Sequence, residues 1–517
     1  MTRQTSRRRF LMTASATGAA LGLSEWAGLL PFSPASADEA KVTPDLIRFS
    51  PEIEPIVRLI EETPREKCVP VFIEQLRHGL PYRHFLAAQY LAAIRAARFH
   101  AGRAQGYSHN AFVVHSIHRL SLDLPVAERL LPSFYNIDNF KGMQQGYGKV
   151  TGTPELTGTL PPAERADEEL HAAMREWDSE RAERAIVALA RSQGAPRVFE
   201  PLWHYAGRDW GFIGHNAILV ANSCRLLETI GWQHAEPLLR FIVQGLAGWG
   251  KEHAEHPDVR PYWRNLPRVE KSIGLLPGDW AVSTGNDGLT KDLVVLIRES
   301  KADEACELAV RHLTEGKAKA GAVWDAVHLA AGELHLGVKL SKDQQWNGNA
   351  LHANTSTNVI HYAFRVSVKP ENRLLLLLQA LAWTGLFRDL LRKRNPDQVQ
   401  DIVGLIGADL PEKPEAAIED ILTTRTAQPV EAARKAFTFA LRSPGTGPLL
   451  LTANRLLALK TRDVHDIKFA VAIAEDLSLV SPQWQPHVIA AGVYSLQRTD
   501  RPENPLMQQV REAAKGL

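Results

Sequence analysis

The sequence predicts an all-α protein: a multi-helical body of repeated helix pairs, solenoid- or toroid-like, around a cavity, followed by a C-terminal helical lobe. Three observations predict it. Apolar residues recur at i, i+3 and i+4 far more often than at i, i+2. Strand-like runs are scarce, the nearest being the short Val366–Val368. Breaks rich in Gly and Pro fall at Gly152–Pro162, Pro257–Pro267, Gly274–Gly288 and Ser443–Pro448.

The first element reads as an address. Ser6-Arg7-Arg8-Arg9-Phe10-Leu11 matches the twin-arginine export pattern S-R-R-x-F-L. A mildly apolar stretch, Leu11 to Phe32, follows, and Ala35-Ser36-Ala37 supplies an A-x-A cleavage site. Residues 1–37 are therefore expected to be a signal peptide, with the mature chain starting near Asp38. Glu25 and the Ala/Gly-rich composition suit a leader better than a spanning helix. No later run of uninterrupted apolar residues is long enough to cross a bilayer. The mature chain is thus expected to have no membrane span and to work in a periplasm or outside the cell. Its partners would be the twin-arginine export machinery and a small-molecule substrate. That export route carries folded proteins, often ones that have already received a cofactor.

Helices then follow one another. Tyr82 to Arg98 has the Ala/Leu/Arg composition of a strong helix former, with Leu86, Ala87, Tyr90 and Ile94 on one face. Similar stretches lie at 181–192, 216–230, 235–248, 288–314, 319–338, 371–392, 430–442, 447–460 and 466–477. Leu374 to Leu378 reads as core. Pro411, Pro414 and Pro429 separate a group of shorter helices, so the expected domains are a His-rich helical body at 45–395 and a C-terminal lobe at 396–517.

Composition removes several function classes. The 517 residues carry 60 Lys+Arg against 58 Asp+Glu, a net charge of +2, which gives no electrostatic footprint for nucleic acid. Three cysteines without C-x-x-C spacing exclude a disulfide framework, a paired-Cys zinc site and c-type haem attachment. No G-x-G-x-x-G after a strand, Walker loop, G-x-S-x-G elbow or H-E-x-x-H occurs. That argues against Rossmann-type nucleotide binding, serine hydrolysis and zincin proteolysis. What remains is 19 histidines, unevenly placed.

Their placement follows an internal repeat. His109-Asn110-Ala111-Phe112-Val113-Val114 resembles His215-Asn216-Ala217-Ile218-Leu219-Val220, and Arg119-Leu120 resembles Arg225-Leu226. The spacing His109-x8-His118 recurs as His352-x8-His361. Each block is expected to open a helix, with Ser108, Gly214 and Asn354 or Thr355 at the starts. An imidazole there sits at the positive end of the helix dipole and stays neutral, the form that binds metals or accepts a proton. His115 and His118, three apart, can share one ion. His328 and His335 share a helix face with Gly332 and Trp324; Asp325 can orient His328, and Gly332 lets a ligand or another backbone approach. His253-x-x-His256 reads as an exposed turn. Trp203-His204-Tyr205 with Arg208-Asp209-Trp210 reads equally as a pocket lining or a buried helix end. His465-Asp466 and His487 read as caps that can also reach the same cavity.

The His-led helices, the segment Trp324-Asp325-x-x-His328, and His352-Ala353 with Asn358-x-x-His361-Tyr362-Ala363-Phe364 resemble the questin-oxidase-like family. They resemble more closely twin-arginine-exported bacterial proteins that carry the same blocks. The resemblance covers residues 80 to 395 and implies a helical shell with a His-lined cavity and an oxidative reaction on an aromatic compound. Its matching positions are His109, His118, His215, His352, Asn358 and His361. An NADPH-dependent reaction is not carried over, because reduced nicotinamide is not available outside the cytoplasm and no nucleotide fingerprint is present.

The expected function is an exported α-helical oxidoreductase acting on an aromatic or apolar substrate. His109, His118, His215, His352 and His361 would be its catalytic or metal-ligating residues, and His328 and Asn358 would help to bind a cofactor. The cofactor would be a His-bound metal or non-covalent haem. The alternatives are a non-catalytic helical-repeat binding protein of the cell envelope, and a lyase or hydrolase using His without metal.

Overall fold

A computed structural model describes residues 46–97, 106–147, 152–211, 213–336, 348–394, 401–442, 447–493, 499 and 501–517. The twin-arginine segment lies outside the described residues. Of the described residues, 76% are helical, as the periodicity predicts. Among the described residues there is no strand; Leu46 and Pro154 form an isolated bridge, and Val366 is the last residue of a helix.

The chain divides into two compact units, and not at the boundary near 395 read from the prolines. The first unit takes the described residues up to Ser192, Asn222–Gly248 and Asn504–Leu517; the second takes Gln193–Ala221 and Trp249–Glu503. Most described residues after 400, up to Glu503, join the second unit because they share its core. Phe469 and Ile473 cluster with Leu351, Ile421, Phe439 and Ile489 into one apolar group.

In the first unit the Tyr82–Ala96 helix is the axis, buried from Phe85 to Ala96. Phe85 meets Phe72 and Phe134 at ring-centroid distances of 5.4 and 5.8 Å. Arg95, 2% exposed, holds both Glu54 and Glu61, at 2.6 and 2.8 Å. Burying that guanidinium is tolerable only because both carboxylates accompany it. Asn110 belongs to a second buried network: its amide donates to Asn136, whose amide donates to Gln89. The Pro505–Ala513 helix closes this unit against the Leu131–Tyr147 and Cys68–Arg77 helices.

The second unit is built around two helices that are apolar or uncharged on nearly every side. Every residue of Ala320–Leu336 is buried, and so is almost all of Gly348–Val366. Such helices belong at the centre of a core. Pro370–Arg394, the third central helix, is long and apolar enough to cross a membrane, but 78% of that stretch is buried inside the fold. Gly332 serves close packing: a Cβ there would stand 3.0 Å from Ala491 Cβ and 3.2 Å from Ile402 Cδ1. Its neighbours are therefore side chains of the protein's own core.

Three local readings need correction. The stretch 288–314 is two helices, Asp287–Arg298 and Ala302–Thr314. Ser300 takes φ 63° and Lys301 N donates to Leu296 O, a Schellman-type ending without glycine. The break at Pro257–Pro267 becomes the Arg260–Ser272 helix, with Pro261 in its first turn and Pro267 inside it. Asn354 and Thr355 do not open a helix. They lie within Gly348–Val366, where Asn354 Nδ2 donates to Ala350 O and Thr355 Oγ1 to Leu351 O. Those bonds satisfy them inside the helix.

Candidate metal centre

Three imidazoles of the second unit converge from three helices: His215, His352 and His465. One ligand nitrogen from each lies within 4.8 Å of the others. His215 is the first residue of the His215–Ile230 helix, as the repeat predicts, and is 3% exposed. The turn that delivers it is strained: Ile213 and Gly214 take φ 55° and 82°. A left-handed β-branched residue costs on the order of 1–3 kcal/mol and persists where its surroundings enforce it. Here the enforcing neighbour is Ser356, whose hydroxyl donates to Ile213 O and occupies the space a Cβ on residue 214 would need. Glycine is required at 214 on both counts.

His352 lies in the second turn of Gly348–Val366, not at its start. Its Nδ1–H donates to Gly348 O at 2.6 Å, so its Nε2 carries the lone pair. That Nε2 stands 3.2 Å from His215 Nε2, which therefore donates to it. His465 sits near the start of Val464–Asp476. Its Nδ1–H donates to Asp463 Oδ1 at 2.6 Å, again leaving Nε2 as the lone-pair nitrogen. Asp463 Oδ1 also accepts from His465 N and so caps the helix. A carboxylate or carbonyl behind the imidazole is the usual support of a ligating histidine.

The electrostatics keep His352 and His465 neutral. Burial, then the nearby His215, Lys468 and His465, holds the His352 pKa well below the usual imidazole range. Burial and Lys468 lower His465 despite its Asp463 partner. Burial opposes ionisation of Asp463, but the side-chain and backbone hydrogen bonds from His465 outweigh it, and its pKa falls. Neutral imidazoles with fixed tautomers suit a divalent ion. One at about 2.0–2.1 Å from each nitrogen spaces tetrahedral ligands roughly 3.4 Å apart, close to the 3.2 Å between His215 and His352.

His361 joins a different cluster. Gly348–Val366 is uninterrupted, so nine residues turn His361 about 180° away from His352. The H-x8-H spacing thus places its two histidines on opposite faces. His361 Nδ1 lies 2.9 Å from His328 Nε2, and His328 Nδ1 lies 3.5 Å from Asp476 Oδ2. With Asp476 drawing the Nδ1 proton of His328, His361 donates its own Nδ1–H and keeps a lone pair at Nε2. Trp324 stacks on His361 at 4.0 Å and 1°. Burial and His328 hold the His361 pKa well below its ordinary value. Asn358 donates to Asp476 at 2.8 Å and to Glu475 at 3.1 Å, so it orients the carboxylate behind this relay.

Other expectations resolve as follows. Asp325 faces Ser481, accepting from its N and Oγ, and Asp476 takes the place proposed for it beside His328. His335 is buried against Phe469, its pKa pushed down to about 3 by burial. His109 belongs to the first unit, half-buried in the middle of Gly106–Phe112, with its ring 5.8 Å from Phe112. Ser108 is likewise inside that helix rather than its cap. His118 lies on the next helix, Val114–Asp123, beside Tyr82; burial and His115 push its pKa down to about 4. Among the described residues, His115 and His118 have no third ligand to form a cluster.

His253 is not in an exposed turn. It is 7% exposed, pairs with Asp209 at 3.0 Å, and lies between the stacked rings of Trp249 and His256. His204 bridges Asn372 and Tyr262, a core role. Sequence reasoning missed Asp476 and Lys468. The signal for Lys468 was a lone lysine within the apolar run Ile467–Ile473. It is 3% exposed, and burial lowers its pKa to about 7. Compared with protein-family models, with curated proteins and with solved structures, the chain matches none.

Proposed function

We propose that the chain is an exported metal-dependent enzyme whose ion is held by His215, His352 and His465, and that it is an oxidoreductase acting on an aromatic or apolar substrate. The observation that carries the metal reading is the convergence of three imidazole nitrogens within 4.8 Å, with two Nδ1 atoms already committed to acceptors. Imidazole sets favour zinc, copper, iron or nickel. A bare ion suits this geometry better than haem: a porphyrin iron takes axial nitrogens only from opposite faces, so a third nearby nitrogen would fall in the ring plane. The oxidoreductase part rests on the resemblance to questin-oxidase-like proteins and on export, and it requires copper or iron.

Elemental analysis of protein purified through its native export route tests the reading. One ion per chain is expected, lost in His215→Ala, His352→Ala and His465→Ala. His109→Ala belongs in the same series, because the sequence repeat makes His109 the counterpart of His215. Absence of metal after reconstitution with zinc, copper and iron sinks the reading. A metal-free acid–base enzyme is the second reading, favoured by the Asp476–His328–His361 relay.

A further inference from the structure

Lys468 follows His465 by three residues, so both rise from one face of the Val464–Asp476 helix. Its charge is felt at both His465 and His352. Its Nζ is buried and has no hydrogen-bond partner among the described residues. A buried amine in that condition forfeits the free energy of three donor positions.

Charge balance gives the unpartnered amine a meaning. Three neutral imidazoles contribute nothing against a divalent ion. The nearby carboxylate, Asp463, is engaged by His465 N and Nδ1. With the ion bound, the centre keeps net positive charge in a region where uncompensated charge is costly. A small anion offsets it, and a planar carboxylate has two oxygens to divide between metal and amine.

We propose that Lys468 is the anion-holding group of this centre, donating to one oxygen of a small carboxylate ligand or substrate group whose other oxygen completes the coordination of the metal. The inference rests on the metal reading above and names the chemistry that site accepts. Inorganic phosphate, a tetrahedral anion, is the contrasting ligand class.

Cobalt(II) loaded into the full-length protein supplies a visible spectrum, and acetate is the probe. Acetate is expected to perturb that spectrum. Lys468→Met should bind cobalt at least as tightly as the unmodified protein, because a neighbouring positive charge is removed, while its acetate affinity falls about tenfold or more. Lys468→Gln, which keeps a donor, should lose less; circular dichroism checks that each variant is folded. Unchanged acetate affinity in both variants overturns this inference and leaves the metal reading standing. Tighter binding of phosphate than acetate overturns the assigned ligand class. Failure of the unmodified protein to bind cobalt overturns the metal reading and this inference together.

Discussion

The Nε2 atoms of His215 and His352 face each other at 3.2 Å, joined by a single proton. A metal ion would take that proton's place, and the proton moves to Nδ1 of the same neutral ring, so loading needs no net proton release. Because burial keeps His352 neutral well below the usual imidazole range, protons compete only under acid conditions. Zinc at a hundredfold excess over its Kd should stabilise the fold by about 2.7 kcal/mol, with little change between pH 8 and 6.5. Thermal unfolding with and without zinc measures this; a zinc stabilisation that drops steeply as pH is lowered from 8 to 6.5 contradicts it.

Asp463 both caps a helix and orients a ligand, and Asp463→Asn separates the two roles. Asparagine caps as well as aspartate, so stability should change by less than about 0.5 kcal/mol. Metal affinity should fall about tenfold, because a neutral amide supports His465 less well. If Asp463→Asn lowers stability and spares affinity, the carboxylate is only a cap.

Gly214→Ala meets both a left-handed φ and the hydroxyl of Ser356. It should cost about 2–3 kcal/mol of stability and weaken metal binding by moving His215. Combining it with Ser356→Ala should recover only the steric part. Urea unfolding of the single and double variants reports the balance; an unaffected single variant would show that the turn relaxes freely.

The Asp476–His328–His361 chain predicts coupling between groups that do not touch. Asp476→Asn should destabilise by about 2–3 kcal/mol. It should also shift the imidazole nitrogen resonances of His361, whose tautomer depends on Asp476 through His328. A double-mutant cycle with His361→Gln should give an interaction energy above about 0.5 kcal/mol. Strict additivity would dissolve the relay into separate hydrogen bonds.

Acid should unfold the protein earlier than its carboxylates alone require. His118 and His335 have folded pKa values pushed down to about 4 and about 3, and His352 and His361 are also lowered. An unfolded histidine takes up a proton near pH 6.5, whereas these folded ones resist. Their contribution is therefore complete above that pH and is lost as pH falls towards the folded values. His335 alone accounts for on the order of 5 kcal/mol across that window. The slope of Tm against pH between 6 and 4 should be shallower in His335→Gln.

The helical class was legible because period-3.6 patterning survives burial, and His215 was legible because a glycine-led helix start is a local signal. The Gly348–Val366 helix was partly hidden. Its run Asn354-Thr355-Ser356-Thr357-Asn358 reads as a cap or loop until the fold supplies partners for those side chains. The two clusters were not separable from the sequence, because one spacing, H-x8-H, gives opposite faces on a continuous helix and can give one face only across a break. Val113 supplies such a break between His109 and His118; nothing does between His352 and His361. His465 was visible as a histidine but not as a ligand, since the D-x-H pattern that orients it is also an ordinary cap.

That shared helix has a mechanical consequence. His352 and His361 project from opposite sides of one rod, about 13 Å apart along its axis. A small roll of the rod swings the two rings in opposite directions, whereas a slide along its axis carries them together. Any event that turns the helix to tighten one cluster must therefore draw the other histidine sideways from its own partners. The two centres are geared against each other in rotation and locked together in translation.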